Sequence, residues 1–410
     1  MKTNFNLIKK NKTILIISCV FPPEPVVSAL LSKDIANELS KSHNVEVLHP
    51  KPTRPDGYVF TQDELIFNYE SITTNSFTCP SYSLFGRLRE SYSFGKKCAR
   101  YINENVGNID IIYLNAWALF AQYEIIKAAK QWNISCVTHI QDIYPESFTN
   151  RLPFVYKKIL QSIFLPIDKF VLRNSKKVIA ISGKMKYYLA KTRNINLNKI
   201  DVVNNWQDES TFIQCEQAID ENDSVKNSFS FMYLGNIGPV AGVELLIDAF
   251  NKANLQNAKL VIAGSGSMKE KLQSKCELLN NSNIEFCPVK EGKVPETQAT
   301  ADVMLLPIKK GAASSSIPSK LPAYMFSSKP IIACADSDSD TADAIRESDC
   351  GWIVEPENTD SLSEKMEEVR VMSKIQLEDM GKRGCEYALK QFSRRKNILK
   401  IVQIILNVKG

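Results

Sequence analysis

Ser314-Ser315-Ser316-Ile317-Pro318-Ser319-Lys320-Leu321 lies between two apolar runs, Val303–Leu306 and Pro330–Ala333. That order reads as strand, polar loop, helix, strand. Small hydroxyl residues and one lysine thus fall near a helix N-terminus, where unpaired N–H groups and the helix dipole favour an anion. Pro322 has no N–H and clashes with the carbonyl four residues back. The helix is therefore expected to begin near Ser319 and to leave the N–H groups of Ser319, Lys320 and Leu321 for a ligand. Two loops upstream repeat the theme. Gly235-Asn236-Ile237-Gly238 follows the run Phe229–Leu234, and Gly264-Ser265-Gly266 follows Lys259–Ala263. Val289 sits beyond a third short run, Ile284–Phe286. Loops of this kind in one half of a chain point to a phosphorylated ligand at the carboxyl edge of a parallel sheet. The candidate nucleotide contacts are Gly235, Asn236, Gly238, Gly264, Ser265, Gly266, Val289, Ser314, Ser315, Ser316, Ile317, Pro318, Ser319, Lys320 and Leu321.

Outward from this region the alternation continues. Strands are expected at Phe229–Leu234, Lys259–Ala263, Ile284–Phe286, Val303–Leu306, Ile331–Ala333 and Gly351–Val354. Helices are expected at Val243–Ala253, Met268–Leu279, Glu296–Ala301 and Thr341–Glu347. The first half repeats the pattern with strands at Thr13–Val20, Val45–Leu48, Ile109–Leu114, Ser135–Ile140 and Lys177–Ile181. Ser28–Ser40 carries Leu30, Leu31, Ile35 and Leu39 at helical spacing. Strands alternating with helices imply mainly parallel sheets. Residues 50–80 show no period and read as a loop-rich insertion. The expected division is 1–206, a polar connection 207–228, a second domain 229–392, and an amphipathic tail helix within 393–410 that packs back on the first domain.

The chain has 410 residues, enough for two domains with separate cores. Lys9, Lys10 and Lys12 precede Ile14–Phe21 in the manner of a signal peptide. The run is short and β-branched, however, and ends in Pro22-Pro23-Glu24-Pro25, so it reads as a buried strand. Ten scattered cysteines without a Cys-x-x-Cys pair read as reduced thiols of a cytoplasmic protein. The three histidines share no metal-ligand spacing with them, so no metal site is expected. Charge is uneven. Residues 1–205 hold 27 Lys and Arg against 16 Asp and Glu; residues 206–410 hold 24 against 29. Residues 151–200 alone hold 12 basic residues and one acid. An anionic partner for the first half follows. Basic and apolar residues mix over 82–101 and 152–177, which fits an anionic membrane surface. No nucleic-acid-binding motif accompanies the charge.

Phe21-Pro22-Pro23-Glu24-Pro25, Gly235-Asn236-Ile237-Gly238, Gly264-Ser265-Gly266, Ile317–Leu321 with Tyr324-Met325, and the Asp338–Asp343 stretch stand in the order found in glycosyltransferase family 4, which the chain resembles. Gln141-Asp142-Ile143-Tyr144-Pro145-Glu146-Ser147 resembles a segment of a narrower branch. That branch builds capsule and O-antigen oligosaccharides and includes N-acetylfucosamine transferases. Val26 and Val27 stand where the family has paired glycines. Asn236 and Val240 stand nearest to a common basic pair. Ser315 and Ala323 replace the family's two glutamates, whose roles are therefore not carried over.

The resemblance implies a GT-B fold, two Rossmann-like domains facing across a cleft. It also implies a retaining, metal-independent transfer with no cofactor beyond the nucleotide-sugar donor, a UDP-sugar being favoured. The acceptor would be a polyprenyl-diphosphate-linked saccharide, met by a peripheral protein on the inner face of the plasma membrane. A transfer without metal needs a group to take the acceptor hydroxyl's proton. Asp142, Glu146 and His139, at the end of the Ser135–Ile140 run, are the candidates. Glu24, Pro25 and Tyr144 are candidate acceptor contacts. A GT-B nucleotide-sugar epimerase and a non-catalytic nucleotide-sugar-binding subunit are the alternatives.

Overall fold

The computed structural model describes residues 12–54, 60, 66–79, 83–115, 118–149, 152–219, 228–290, 292–311 and 317–408. The chain forms two compact units. One runs to Val203 and takes in the chain from Ile398 onward; the other is Asn204–Asn397.

In the first unit the described strands are β1 Thr13–Ser18, β2 Asn44–Pro50, β3 Glu70–Thr74, β4 Ile111–Asn115, β5 Ser135–Ile140, β6 Lys177–Ala180 and β7 Ile200–Val202. Their order is β3-β2-β1-β4-β5-β6-β7, and each pairing is parallel. Ile14, Leu15, Ile16 and Ile17 are all fully buried. A parallel strand covered on both faces needs such a continuous apolar run rather than an alternating one. The helix Val27–Leu39 turns Ala29, Leu31, Ile35, Ala36 and Leu39 inward at helical spacing. Each fully buried Leu or Ile contributes about 1.5–3 kcal/mol.

The second unit holds β8 Phe229–Leu234, β9 Ala258–Ala263, β10 Ile284–Cys287, β11 Val303–Pro307, β12 Ile331–Cys334 and β13 Gly351–Val354. Their order is β10-β9-β8-β11-β12-β13, again parallel throughout. Each unit is thus a Rossmann-like α/β layer structure, the fold class expected from the alternation.

Strand order reverses between β1 and β4 and between β8 and β11. In open α/β sheets a ligand binds outside the carboxyl ends at such a switch point. Gly235–Gly238 leaves β8, and Lys320 follows β11. Phe21–Pro25 leaves β1, and Asp142 follows β5, one strand beyond β4.

Several expectations need correction. β3 lies inside the stretch read as loop; its sequence, Glu-Ser-Ile-Thr-Thr, is polar because it is an edge strand with one buried residue. The described part of the polar connection is largely a helix, Ser210–Ile219, and its Phe212 belongs to the second unit's core. The helices Thr359–Arg370 and Lys374–Gln391 were not anticipated at all. The tail helix spans Arg394–Leu406, and Lys12 Nζ donates to the Leu406 carbonyl at 3.0 Å.

Candidate active site

The glycine loops of the second unit are joined through their backbones. Gly235 N–H donates to the Ala263 carbonyl at 2.9 Å, and Ile237 N–H to the Ser265 carbonyl at 2.8 Å. Gly264 N–H reaches the Cys287 carbonyl, and Met268 N–H the Ile237 carbonyl. Gly264 has φ +138°, and a Cβ there would collide with the Gly235 carbonyl oxygen. Only glycine fits a left-handed backbone at so close an approach.

Lys320 lies directly against this pair of loops. A Cβ on Gly235 would strike its Cε, and its Nζ stands 5.0 Å from the Tyr233 ring centroid. Tyr233 is itself fixed, its hydroxyl donating to the Asn236 carbonyl at 2.6 Å. Burial lowers the Lys320 pKa from its ordinary value. Among the described residues no carboxylate pairs with it. A half-buried ammonium against a glycine turn, with an aromatic face among its described neighbours, has the chemistry to pair with an anion.

The other donor-side candidates divide. The helix begins at Lys320, Ser319 makes no side-chain cap, and Leu321 N–H donates to the Pro318 carbonyl at 3.0 Å. The Leu321 N–H is therefore not available to a ligand, against expectation. The Leu321 side chain is fully buried, and Val289 and Ile317 pack against the same core. Ser314, Ser315 and Ser316 lie outside the described residues. Tyr324 ties the region down from beneath, accepting from Leu234 N–H and donating to the Leu234 carbonyl.

In the first unit, β5 ends at a fully buried histidine. His139 Nδ1 lies 2.7 Å from the Tyr113 hydroxyl, and its Nε2 lies 3.1 Å from the Gln141 amide nitrogen. The same amide nitrogen lies 3.4 Å from Nδ1, so the Tyr113 hydroxyl and the Gln141 amide hold the ring between them. Burial pushes the His139 pKa down to about 3. His139 is thus a neutral core residue. Asp142 is exposed. Tyr144 packs its ring 6.1 Å from that of Phe164, and burial raises its hydroxyl pKa.

Glu146 is engaged. Its Oε1 accepts from Arg193 Nη1 at 2.6 Å and from the Tyr188 hydroxyl at 2.9 Å, and its Oε2 accepts from Arg193 Nη2 at 2.7 Å. Burial pushes its pKa up, but the arginine and tyrosine outweigh burial and hold it below the ordinary carboxylate value. Arg193 is fully buried and also donates through Nε to Asp168 Oδ2 at 2.6 Å. Burial pushes Asp168 up to about 6 against the pull of Arg193. Sequence reading missed both Arg193 and Asp168. One signal was present: Asp168 is the single acid among the twelve basic residues of 151–200.

Glu24 is also buried. Its Oε1 accepts from the N–H groups of Thr53 at 2.7 Å and Arg54 at 2.8 Å, and burial raises its pKa. Arg54 in turn pairs with Glu90 at 2.5 Å. Glu24 therefore holds the chain after β2, while Pro25 is exposed. Among the described residues no group of three or more His, Cys, Asp or Glu could hold a metal ion. No helix among them is long and apolar enough to cross a membrane.

Fold and site together define a two-domain Rossmann-like protein of the GT-B type. Two family models match its halves: Glycosyltransferase Family 4 over residues 31–210 and Glycosyl transferases group 1 over 215–386. The chain is a GT-B-fold relative of these glycosyltransferases. It is 20% identical over 276 residues to "Probable glycosyltransferase WbjE" of Pseudomonas aeruginosa, covering 64% of this chain and 66% of that protein. It is 27% identical over 125 residues to WcaI of Escherichia coli (strain K12), named for colanic acid biosynthesis, covering 28% of this chain and 30% of that protein. The matches thus span just under two thirds of the first relative's length and less than a third of the second's. Among solved structures, Anabaena HepE in complex with UDP superposes with a TM-score of 0.69 at 14% identity, over 97% of this chain and all of that one.

Proposed function

We propose that the chain is a retaining, metal-independent hexosyltransferase. It moves a sugar from a UDP-type nucleotide diphosphate donor to a polyprenyl-diphosphate-linked saccharide, in the synthesis of a bacterial capsule or O-antigen. The observation that carries this reading is Lys320: half-buried, without a carboxylate partner among the described residues, and lying on the glycine turn after β8. A nucleotide diphosphate supplies the missing charge. UDP is favoured by the fold shared with HepE, which binds it. An N-acetylated deoxyhexosamine is favoured by the likeness of Gln141–Ser147 to the narrower branch.

In the reaction the bond from the anomeric carbon to the diphosphate oxygen breaks. A bond from the acceptor oxygen forms on the same face, and the acceptor hydroxyl's proton leaves. Lys320 stabilises the growing negative charge on the departing diphosphate. Asp142, exposed just beyond β5, takes the acceptor's proton; Glu146 is committed to Arg193 and His139 is enclosed. The acceptor's lipid fits the first unit. In the helix Phe154–Asn174, Phe154, Val155, Tyr156, Ile159 and Ile163 are each more than half exposed, beside Lys157 and Lys158. That mixture suits contact with an anionic leaflet, and it supports action at the cytoplasmic face of the membrane.

Calorimetric titration with UDP and transfer assays on Lys320→Ala test the reading. A charge-assisted contact of this kind is worth about 1.5–3 kcal/mol, so affinity and rate should each fall about tenfold or more. Unchanged UDP affinity and transfer in Lys320→Ala would remove the assignment. Asp142→Asn should bind UDP normally and transfer slowly. Turnover of donor alone into an isomer would mark an epimerase, and saturable binding without transfer a non-catalytic subunit.

A further inference from the structure

We infer that Arg193 is a positioning residue that sets the backbone of Tyr144–Glu146, and through it the placement of Asp142. The inference rests on the transferase reading above. A guanidinium has five N–H donors in a rigid fork, and in Arg193 each has a partner. Nε donates to Asp168, Nη1 to Glu146 Oε1 and to Thr192 Oγ1 at 2.8 Å, and Nη2 to Glu146 Oε2 and to the Tyr144 carbonyl at 2.7 Å. These partners come from three pieces of chain: the segment after β5, the helix Phe154–Asn174, and the helix Gly183–Arg193 that carries the arginine. The Arg193 carbonyl is held in turn by Arg173 Nε at 3.0 Å.

Burying three ionised groups carries a large desolvation cost, and a well-packed apolar trio would join two helices at least as firmly. An apolar trio could not grip a main-chain carbonyl in a fixed direction. The bond from Nη2 to the Tyr144 carbonyl does so, two residues beyond Asp142. Beyond it the turn continues through Ser147 N–H to the Ile143 carbonyl at 2.8 Å and Thr149 N–H to the Pro145 carbonyl at 2.9 Å. The clamp thus grips the chain two residues beyond the exposed acid and supplies a fixed frame on its C-terminal side. A catalytic group displaced by about 1 Å can lose a hundredfold in rate, so a rigid mount at this place has a chemical use.

Arg193→Lys tests this. Lysine keeps the positive charge but loses the fork. Hydrogen exchange of amides 142–149 should accelerate about tenfold or more, while amides 235–238 stay as they were. Transfer kcat should fall about tenfold or more at a temperature where the variant is fully folded, with UDP affinity within about twofold of wild type. Tyr188→Phe, which removes only one hydroxyl from Glu146, should fold in any case and show the same two changes at about two- to threefold. A lowered Tm with unchanged exchange in 142–149 and unchanged kcat would show a purely structural role and overturn the inference. Faster exchange in a protein whose wild type transfers nothing would overturn the transferase reading, and the positioning role with it. An active wild type whose two variants keep both exchange and kcat would overturn the positioning role alone.

Discussion

The two units secure the loops at their strand ends by opposite means. In the second unit the loops after β8 and β9 are joined main chain to main chain, with Gly264 packed on Gly235. In the first unit the segment after β5 is held by buried ions, with Arg193 between Glu146 and Asp168. A loop built from backbone needs no charge to hold it, and Lys320, which lies against this one from the helix after β11, has no carboxylate partner among the described residues. A loop built from ions consumes its charges, so neither Glu146 nor Asp168 is available for proton transfer. Charged residues at a strand end are therefore poor evidence of chemistry until their partners are known.

The largest effect should come from breaking the ionic side. Arg193→Met strands two buried carboxylates and should cost the first unit about 3–5 kcal/mol. Urea unfolding followed by a probe in each unit should show the first unit's transition moving and the second's staying. If both move together, the units do not unfold independently. On the backbone side, Gly264→Ala forces a Cβ onto the Gly235 carbonyl at positive φ. It should cost the second unit about 2–3 kcal/mol and remove UDP binding. Normal UDP binding in this variant would mean that the paired loops are not the donor cradle.

A third test uses pH. The folded His139 pKa, about 3, lies below its ordinary value of 6.5. The unfolded chain therefore takes up a proton first. This group's contribution to stability is intact above about pH 6.5 and falls by up to about 1.4 kcal/mol per pH unit as pH drops toward 3. Asp168, raised to about 6, acts in the opposite sense: its contribution is present below about pH 4 and lost as pH rises through 6. His139→Gln should flatten the acid-side decline in urea stability. Parallel profiles for variant and wild type would show that His139 does not titrate on unfolding. The smallest effect concerns the membrane. Lys157→Gln with Lys158→Gln should weaken binding to anionic vesicles by about 1 kcal/mol per lysine at low salt. No change would move the attraction to other basic residues.

The same contrast explains what was legible in the sequence. β5, β8, β13 and the helix Val243–Ala253 match their expected limits because each is a local apolar pattern bounded by turn residues. The glycine loops after β8 and β9 were readable for the same reason, since a left-handed turn at a strand end calls for glycine within a few residues. Arg193 was not readable. Its partners lie 25 and 47 residues away in the chain, and nothing local marks an arginine that will be buried. Glu24 stood out by its position after β1, yet its carboxylate is spent on N–H groups 29 and 30 residues further on. β3 escaped notice because an edge strand needs only one buried side chain, and the helix Ser210–Ile219 because its apolar face is short.

The chain passes between the units twice, after Val203 and after Asn397. The second unit is therefore an insertion, spliced into the first between β7 and the last turns of the tail helix. Its two ends are fastened to each other: Asn397 Nδ2 donates to the Asn204 carbonyl at 3.0 Å, and Gln207 bridges to Ser393. An inserted module whose ends meet can be excised or transplanted with little loop-closure penalty. Residues 204–397 should therefore fold as a unit on their own, and the two remaining pieces, up to Val203 and from Ile398 onward, could be rejoined by a short linker.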